Sequence, residues 1–160
     1  MQVCTNEWLY RQIVDESQDA IIFADRDGQI ELWNSGAESI FGYSAEEAIA
    51  QNLDLIIPEK LRPRHWEGYR KVMATGSTRY GRELLAVPAM RKDGTRISIE
   101  FSIVLVRSSD GEILGSAAII RDVTARWQKE RGTIRSWRKD LNYSSTGWKW
   151  PTLSASSTIP

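Results

Sequence analysis

Between Met90 and Thr124 the chain alternates so regularly that a long two-stranded hairpin is the natural way to fold it. Ile97, Ile99, Phe101, Ile103 and Leu105 take every second position, with Arg96, Ser98, Glu100 and Ser102 between them. Successive side chains of a strand leave opposite faces, so a period of two marks a strand buried on one face. Ser108-Ser109-Asp110-Gly111 then reads as a turn, because Gly tolerates positive φ and Asp bonds its own backbone. Glu112 to Ile120 returns as a second strand rich in Ile and small residues. The hairpin has one apolar face, and the rest of the chain has to cover it.

The earlier chain supplies the cover. Glu7 to Gln18 has helical spacing, with Leu9, Ile13 and Val14 on one face, and reads as a flanking helix. Ala20–Ala24 and Ile30–Trp33 straddle Asp25-Arg26-Asp27-Gly28 and form a first hairpin. Asn34 opens a short helix that carries Ile40 and Phe41 and closes at Gly42. Ser44-Ala45-Glu46-Glu47 is a capping-box pattern for a second helix through Ala50. A longer helix is expected from about Glu59 to Ala74, between Pro58 and Gly76. Tyr80 to Met90 reads as a strand, and Pro88 assigns it to an edge or a bulge. Two strands, several helices and three strands make an α+β plan. It is a five-stranded antiparallel sheet with helices inserted between strands 2 and 3 covering one face, and room for a small ligand between the layers.

Composition narrows the function. The 160 residues suit one domain with a tail, and 21 basic residues balance 21 acidic ones without a long like-charge run. Neither nucleic acid nor an anionic membrane surface is an expected partner. Cys4 is the lone cysteine, which rules out an internal disulfide and a multi-cysteine metal site. There is no apolar run near the roughly 20 residues that span a bilayer and no secretory signal, so a soluble, cytoplasmic protein is expected. A Gly-rich phosphate loop and a nucleophile elbow are also missing, and Glu46, Glu47 and the Asp-Gly aspartates read as capping and turn residues.

Asp27-Gly28, Trp33-Asn34-x-x-Ala37-Glu38, Phe41-Gly42-Tyr43-Ser44, Ile57-Pro58, Arg91-Lys92-Asp93-Gly94-Thr95 and Arg121-Asp122-Val123-Thr124 follow one another in that order. The series resembles the PAS sensory-domain family over about Ile13 to Thr124. The resemblance implies a sensor that is not itself an enzyme. Such a module binds a cofactor, a metabolite or a partner and passes a conformational change to a downstream signalling protein. It divides the chain into a flanking helix (1–18), a PAS-like domain (19–124), a signalling helix (125–141) and a flexible tail (142–160). Asp122-x-Thr124 looks like the family's junction with the outgoing helix. Beyond it Ile120, Val123, Trp127, Ile134, Trp137 and Leu141 fall near a seven-residue repeat interrupted by Gly132. A dimerising helix and a frayed surface helix are the alternatives there.

His65 is the only histidine. Helical spacing groups it with Leu61, Gly68, Tyr69 and Val72, facing the sheet. Arg62-x-x-His65 is similar to the iron-ligating position of the haem-based oxygen-sensor branch, where neutral imidazole serves as an axial ligand. That match implies haem b as one candidate cofactor, with Phe101 and Ile103 in the distal wall and Tyr80 near the pocket mouth. The position where that branch places a ligand-bonding arginine holds Leu85, and Arg82 comes three residues early. An ordinary pocket-edge histidine, shielded by Trp66, is the competing reading; either way His65 is a candidate pH-sensitive group. The flavin branch needs a reactive cysteine in the helical segment, which this chain lacks. Trp33, Phe41, Tyr43 and Phe101 are expected in the core or pocket wall. Val104, Val106, Leu114, Ala118 and Ile120 are expected on the outer sheet face; with Trp8 and the terminal helices they suggest a homodimer surface. The alternative is that this chain's own terminal helices cover that face.

Overall fold

The computed structural model describes residues 6–78 and 84–131. Helix α1 (Asn6–Asp15) precedes strands β1 (Ala20–Asp25) and β2 (Ile30–Trp33). Helices α2 (Ser35–Phe41), α3 (Ala45–Ala48) and α4 (Arg62–Thr75) follow. Strands β3 (Leu85–Met90), β4 (Arg96–Arg107) and β5 (Ile113–Asp122) complete an antiparallel sheet of order β2-β1-β5-β4-β3. The alternating hairpin is β4–β5, near the middle of the sheet. Pro88 lies on edge strand β3, where a missing N–H costs no second ladder.

Local chemistry sets each boundary. The Asp25 carboxylate accepts from the backbone N–H of Asp27 and Gln29, 2.9 and 2.8 Å away, and closes the β1–β2 turn. Ser44 and Glu47 form the reciprocal capping box of α3. That helix stops at Ala48 instead of reaching Ala50, because Ala50 adopts φ +64° and turns its N–H to the Ile30 carbonyl. Pairing with β2 overrides the local helical preference. The long helix also begins later than the expected Glu59. Pro63 has no N–H for the Glu59 carbonyl, so Arg62 N–H takes it in a 3-10 turn over Glu59–Leu61 before α4 starts.

Asn34 ties the first half together. Its side-chain oxygen accepts from Ala37 N–H and Ile21 N–H at 2.9 and 2.8 Å, capping α2 and holding β1. Its amide donates to the carbonyls of Val14 and Asp19, just before the sheet begins. Around it Ile30, Ala37, Phe41 and Ala48 are wholly buried, and Trp33 packs on Phe41 at 5.5 Å between ring centroids. This cluster continues under the sheet through Ala20, Ile22, Ile97, Ile99 and Ile120.

Ala118 and Ile120 correct the expected outer surface. They stand opposite Ile22 and Ala20 in the β1–β5 register and therefore face inward with the core. Strand β5 lacks a polar alternation that would show its parity, and pairing with β1 decides it. Val104 and Ile119 are the exposed apolar residues of the outer face, and Leu114 is exposed beside the β4 irregularity. Helix α1 buries no residue and presents Trp8, Leu9, Tyr10 and Ile13. Tyr80, Arg82, Ile134, Trp137, Leu141 and the tail from Asn142 lie outside the described residues.

Candidate functional site

Between α4 and the inner sheet face lies a cavity of about 130 Å³. Its sheet side comes from Ile22 and Ala24 of β1, Ile99, Phe101 and Ile103 of β4, and Ser116, Ala118 and Ile120 of β5. Leu53, Ile56 and Ile57 close one end, and Val87, Pro88 and Ala89 line the β3 side. The space follows from side-chain size: in the β1–β5 register Ala24 meets Ser116 and Ile22 meets Ala118, so the middle of the sheet is low. Among the described residues no Asp, Glu, Lys or Arg contributes to the lining.

Helix α4 supplies two polar lining residues, His65 and Tyr69, and β5 supplies a third, Ser116. The Tyr69 hydroxyl donates to the Asp25 carbonyl at 2.6 Å, with the Ala24 carbonyl at 3.2 Å. Burial, and after it the Asp25 charge, push the phenol well above its ordinary value, so it stays protonated and acts as a latch. His65 differs, because its Nδ1 is buried without a hydrogen-bond partner. Burial holds the imidazole below its ordinary pKa, partly opposed by the charge of Asp54, and the neutral ring is favoured. Its ring lies 5.0 Å edge-on from Trp66 and 5.7 Å from Tyr69.

Trp66 fixes how α4 rests on the domain. Its indole N–H donates to the Asp54 carboxylate at 2.8 Å, and its ring covers Gly28. A Cβ at Gly28 would lie 2.2 Å from that ring, and the residue also holds φ +83°. Glycine is therefore required twice, by the turn and by the tryptophan. Arg62 adds bonds to the Ile57 and Asp54 carbonyls at 3.1 and 3.0 Å. Sequence reasoning misses this latch and sees Trp66 only as a shield for the helix. Spacing between Gly28 and Trp66 carries no periodic signal.

Of the expected site residues, His65, Tyr69, Phe101 and Ile103 come together at the cavity. Leu85 is in register with Phe101 on β3, half-buried and outside the lining. Gly68 does not face the sheet with His65; it is exposed, with open space around it. Tyr80 lies outside the described residues. A larger open groove, about 610 Å³, runs beside Arg26, Gly76 and Arg107. Its guanidinium groups already donate to the carbonyls of Ile113, Gly76 and Gly111, so they serve the framework. Among the described residues no group of three or more His, Cys, Asp or Glu could hold a metal ion.

At the end of β5, Asp122 joins several elements. Its carboxylate takes the Thr124 N–H at 2.9 Å and the Thr124 hydroxyl at 2.5 Å, and pairs with Arg91 at 2.6 Å. Burial would raise its pKa, but the bonds from Thr124 and Arg91 outweigh it and the net shift is downward. Thr124 Oγ1 also accepts from Ser98 N–H at 3.0 Å, and a helix starts there. Two bonds from Arg121 to Asp19, 3.0 and 2.6 Å long, link the last strand to the segment entering the first.

Residues 14–128 match the family described as PAS fold. The sensor protein FixL of Bradyrhizobium diazoefficiens is 31% identical over 126 residues, covering 79% of this chain and 25% of FixL. The oxygen sensor protein DosP of Escherichia coli is 29% identical over 119 residues, covering 74% of this chain and 15% of DosP. The chain thus spans no more than a quarter of these relatives' length. A crystal structure of the PAS domain of a protein from Colwellia psychrerythraea superposes with TM-score 0.64 at 26% identity, covering 73% of this chain and 96% of that one.

Proposed function

Because this chain belongs to the PAS fold family, a sensory module of signal-transduction proteins, we propose that it senses through a small molecule held between α4 and the sheet. The observation that carries this reading is the cavity itself, a space of about 130 Å³ lined mainly by apolar side chains, with His65, Tyr69 and Ser116 among them. A guest would touch α4, β3 and β5 together. β5 leads directly into Asp122 and Thr124, and the bonded cluster there would carry a displacement of the strand into the helix that follows. On this reading the module is a receptor and not a catalyst. The exposed apolar residues of α1, with Val104 and Ile119, would serve contact with a second copy or a downstream signalling protein.

A haem reading is favoured by one specific combination: His65 lies at the cavity with a bare ring nitrogen, and DosP carries the name of an oxygen sensor. The donor chemistry fits, since a neutral imidazole in an apolar surround is a good axial ligand. The space does not fit. A cavity of about 150 Å³ holds a single benzene ring, and this one is of that order, whereas a porphyrin joins four pyrrole rings. Haem would require α4 to release the latches made by Tyr69 and Trp66.

Purified protein separates these readings. Mass spectrometry after denaturation is expected to release a small molecule, and the amount should fall in a cavity-filling Ala118→Leu variant. A Soret band after haem reconstitution, lost in His65→Ala, would favour haem instead. Protein that releases nothing and takes up nothing contradicts the receptor reading.

A further inference from the structure

We propose that the cavity is shaped for one small uncharged ring bearing a hydroxyl, the phenol class of ligand. This names the ligand of the receptor reading above and rests on it. Three observations converge. The first is volume: about 130 Å³ is the scale of a single six-membered ring. Ala24, Ser116 and Ala118 create the slot, and the flat Phe101 side chain stands at its wall.

The second is charge. With no ionised side chain among the described lining residues, a carboxylate, phosphate or ammonium would give up its hydration with nothing there to replace it. His65 does not rescue an anion, because its buried ring favours the neutral form.

The third is the His65 imidazole itself, which lines the cavity. A purely hydrocarbon guest would cover the cavity-facing edge of the imidazole without offering it a hydrogen bond, which is costly. A hydroxyl offers both a donor and an acceptor, so it suits the imidazole whichever nitrogen carries the proton. The Tyr69 hydroxyl is committed to the carbonyls of Ala24 and Asp25. His65 therefore distinguishes a hydroxylated ring from a bare one.

Calorimetric titration with phenol, toluene and benzoate tests this on the full chain, with circular dichroism confirming the fold of each variant. Phenol is expected to bind about tenfold more tightly than toluene, and benzoate not to bind. His65→Phe should bring phenol down to the level of toluene. Ala118→Leu should abolish binding of both while the protein stays folded. Equal affinity for phenol and toluene, or binding of benzoate as strong as phenol, would overturn the proposal. If no ring binds but haem or a larger molecule does, the proposal falls and the receptor reading survives. If the folded protein binds none of these and releases nothing on denaturation, both fall.

Discussion

Helices α2 and α3 pack against β1 and β2, and α4 rests beside the β1–β2 turn over the cavity, but they are held in different ways. The short helices are pressed into the core: Ala37, Phe41 and Ala48 are wholly buried, Asn34 caps α2 and Ser44 caps α3. Helix α4 is twice as long as α2, 14 residues against 7, yet fully buries only Met73. It is positioned by directional bonds from Arg62, Trp66 and Tyr69. Close packing excludes a guest, because interdigitated side chains leave no room between them. Hydrogen-bonded latches fix a helix at a standoff and leave the space beneath it. Stability is thus concentrated around α2 and α3, and receptivity beside α4.

The comparison can be broken most severely at Phe41. Truncation by Phe41→Ala should cost about 4 kcal/mol, the loss of a fully buried aromatic plus the cavity it leaves, and denaturant unfolding would measure it. A loss below about 1 kcal/mol would show that the dense half is not the stable one. Next comes Asn34→Ala, which removes the partner of two N–H groups and three carbonyls. About 3 kcal/mol is expected from the same measurement. Tyr69→Phe should cost only about 1 kcal/mol globally. Hydrogen exchange should nevertheless quicken in α4 and stay unchanged in α2. Uniform quickening would argue against a separately latched helix.

The smallest expected effect is a pH dependence. His65 has its folded pKa lowered by burial, so the unfolded chain takes up a proton that the folded one refuses. Stability should therefore fall as pH drops below the ordinary histidine value of about 6.5 and level off below the folded pKa. His65→Phe should flatten the profile between neutral and mildly acidic pH. The carboxylates act in a separate window. Arg121 holds Asp19 low, and Asp122 is low despite burial, so their stabilisation is present above about pH 4 and is lost on further acidification.

The dense half was legible in the sequence because its signals are local. Asn34 before a helix, Ser44 with Glu47 and Gly42 at a helix end each act within a few residues. The alternation of β4 likewise showed its buried face, and Pro88 its edge position. Ala118 and Ile120 were misread because β5 carries no polar alternation, and only its partner β1 settles which way it faces. Ala50 was misread for a related reason, as a distant strand claimed its N–H. At the site, helical spacing joins His65 to Tyr69 and strand alternation joins Phe101 to Ile103, but the resemblance to the haem-sensor branch was needed to bring the two pairs to one pocket. The contact of Trp66 with Gly28 could not, because it joins residues 38 positions apart without any shared period. Cavity volume was also out of reach, since it depends on which small residues meet across β1 and β5.

A crystal structure of the protein grown with phenol tests the central claim most directly. Electron density is expected for one ring between His65 and Phe101, with its hydroxyl within hydrogen-bond reach of the imidazole and α4 still latched through Trp66 and Tyr69. A cavity closed by neighbouring side chains, or phenol bound only elsewhere on the surface, would contradict it.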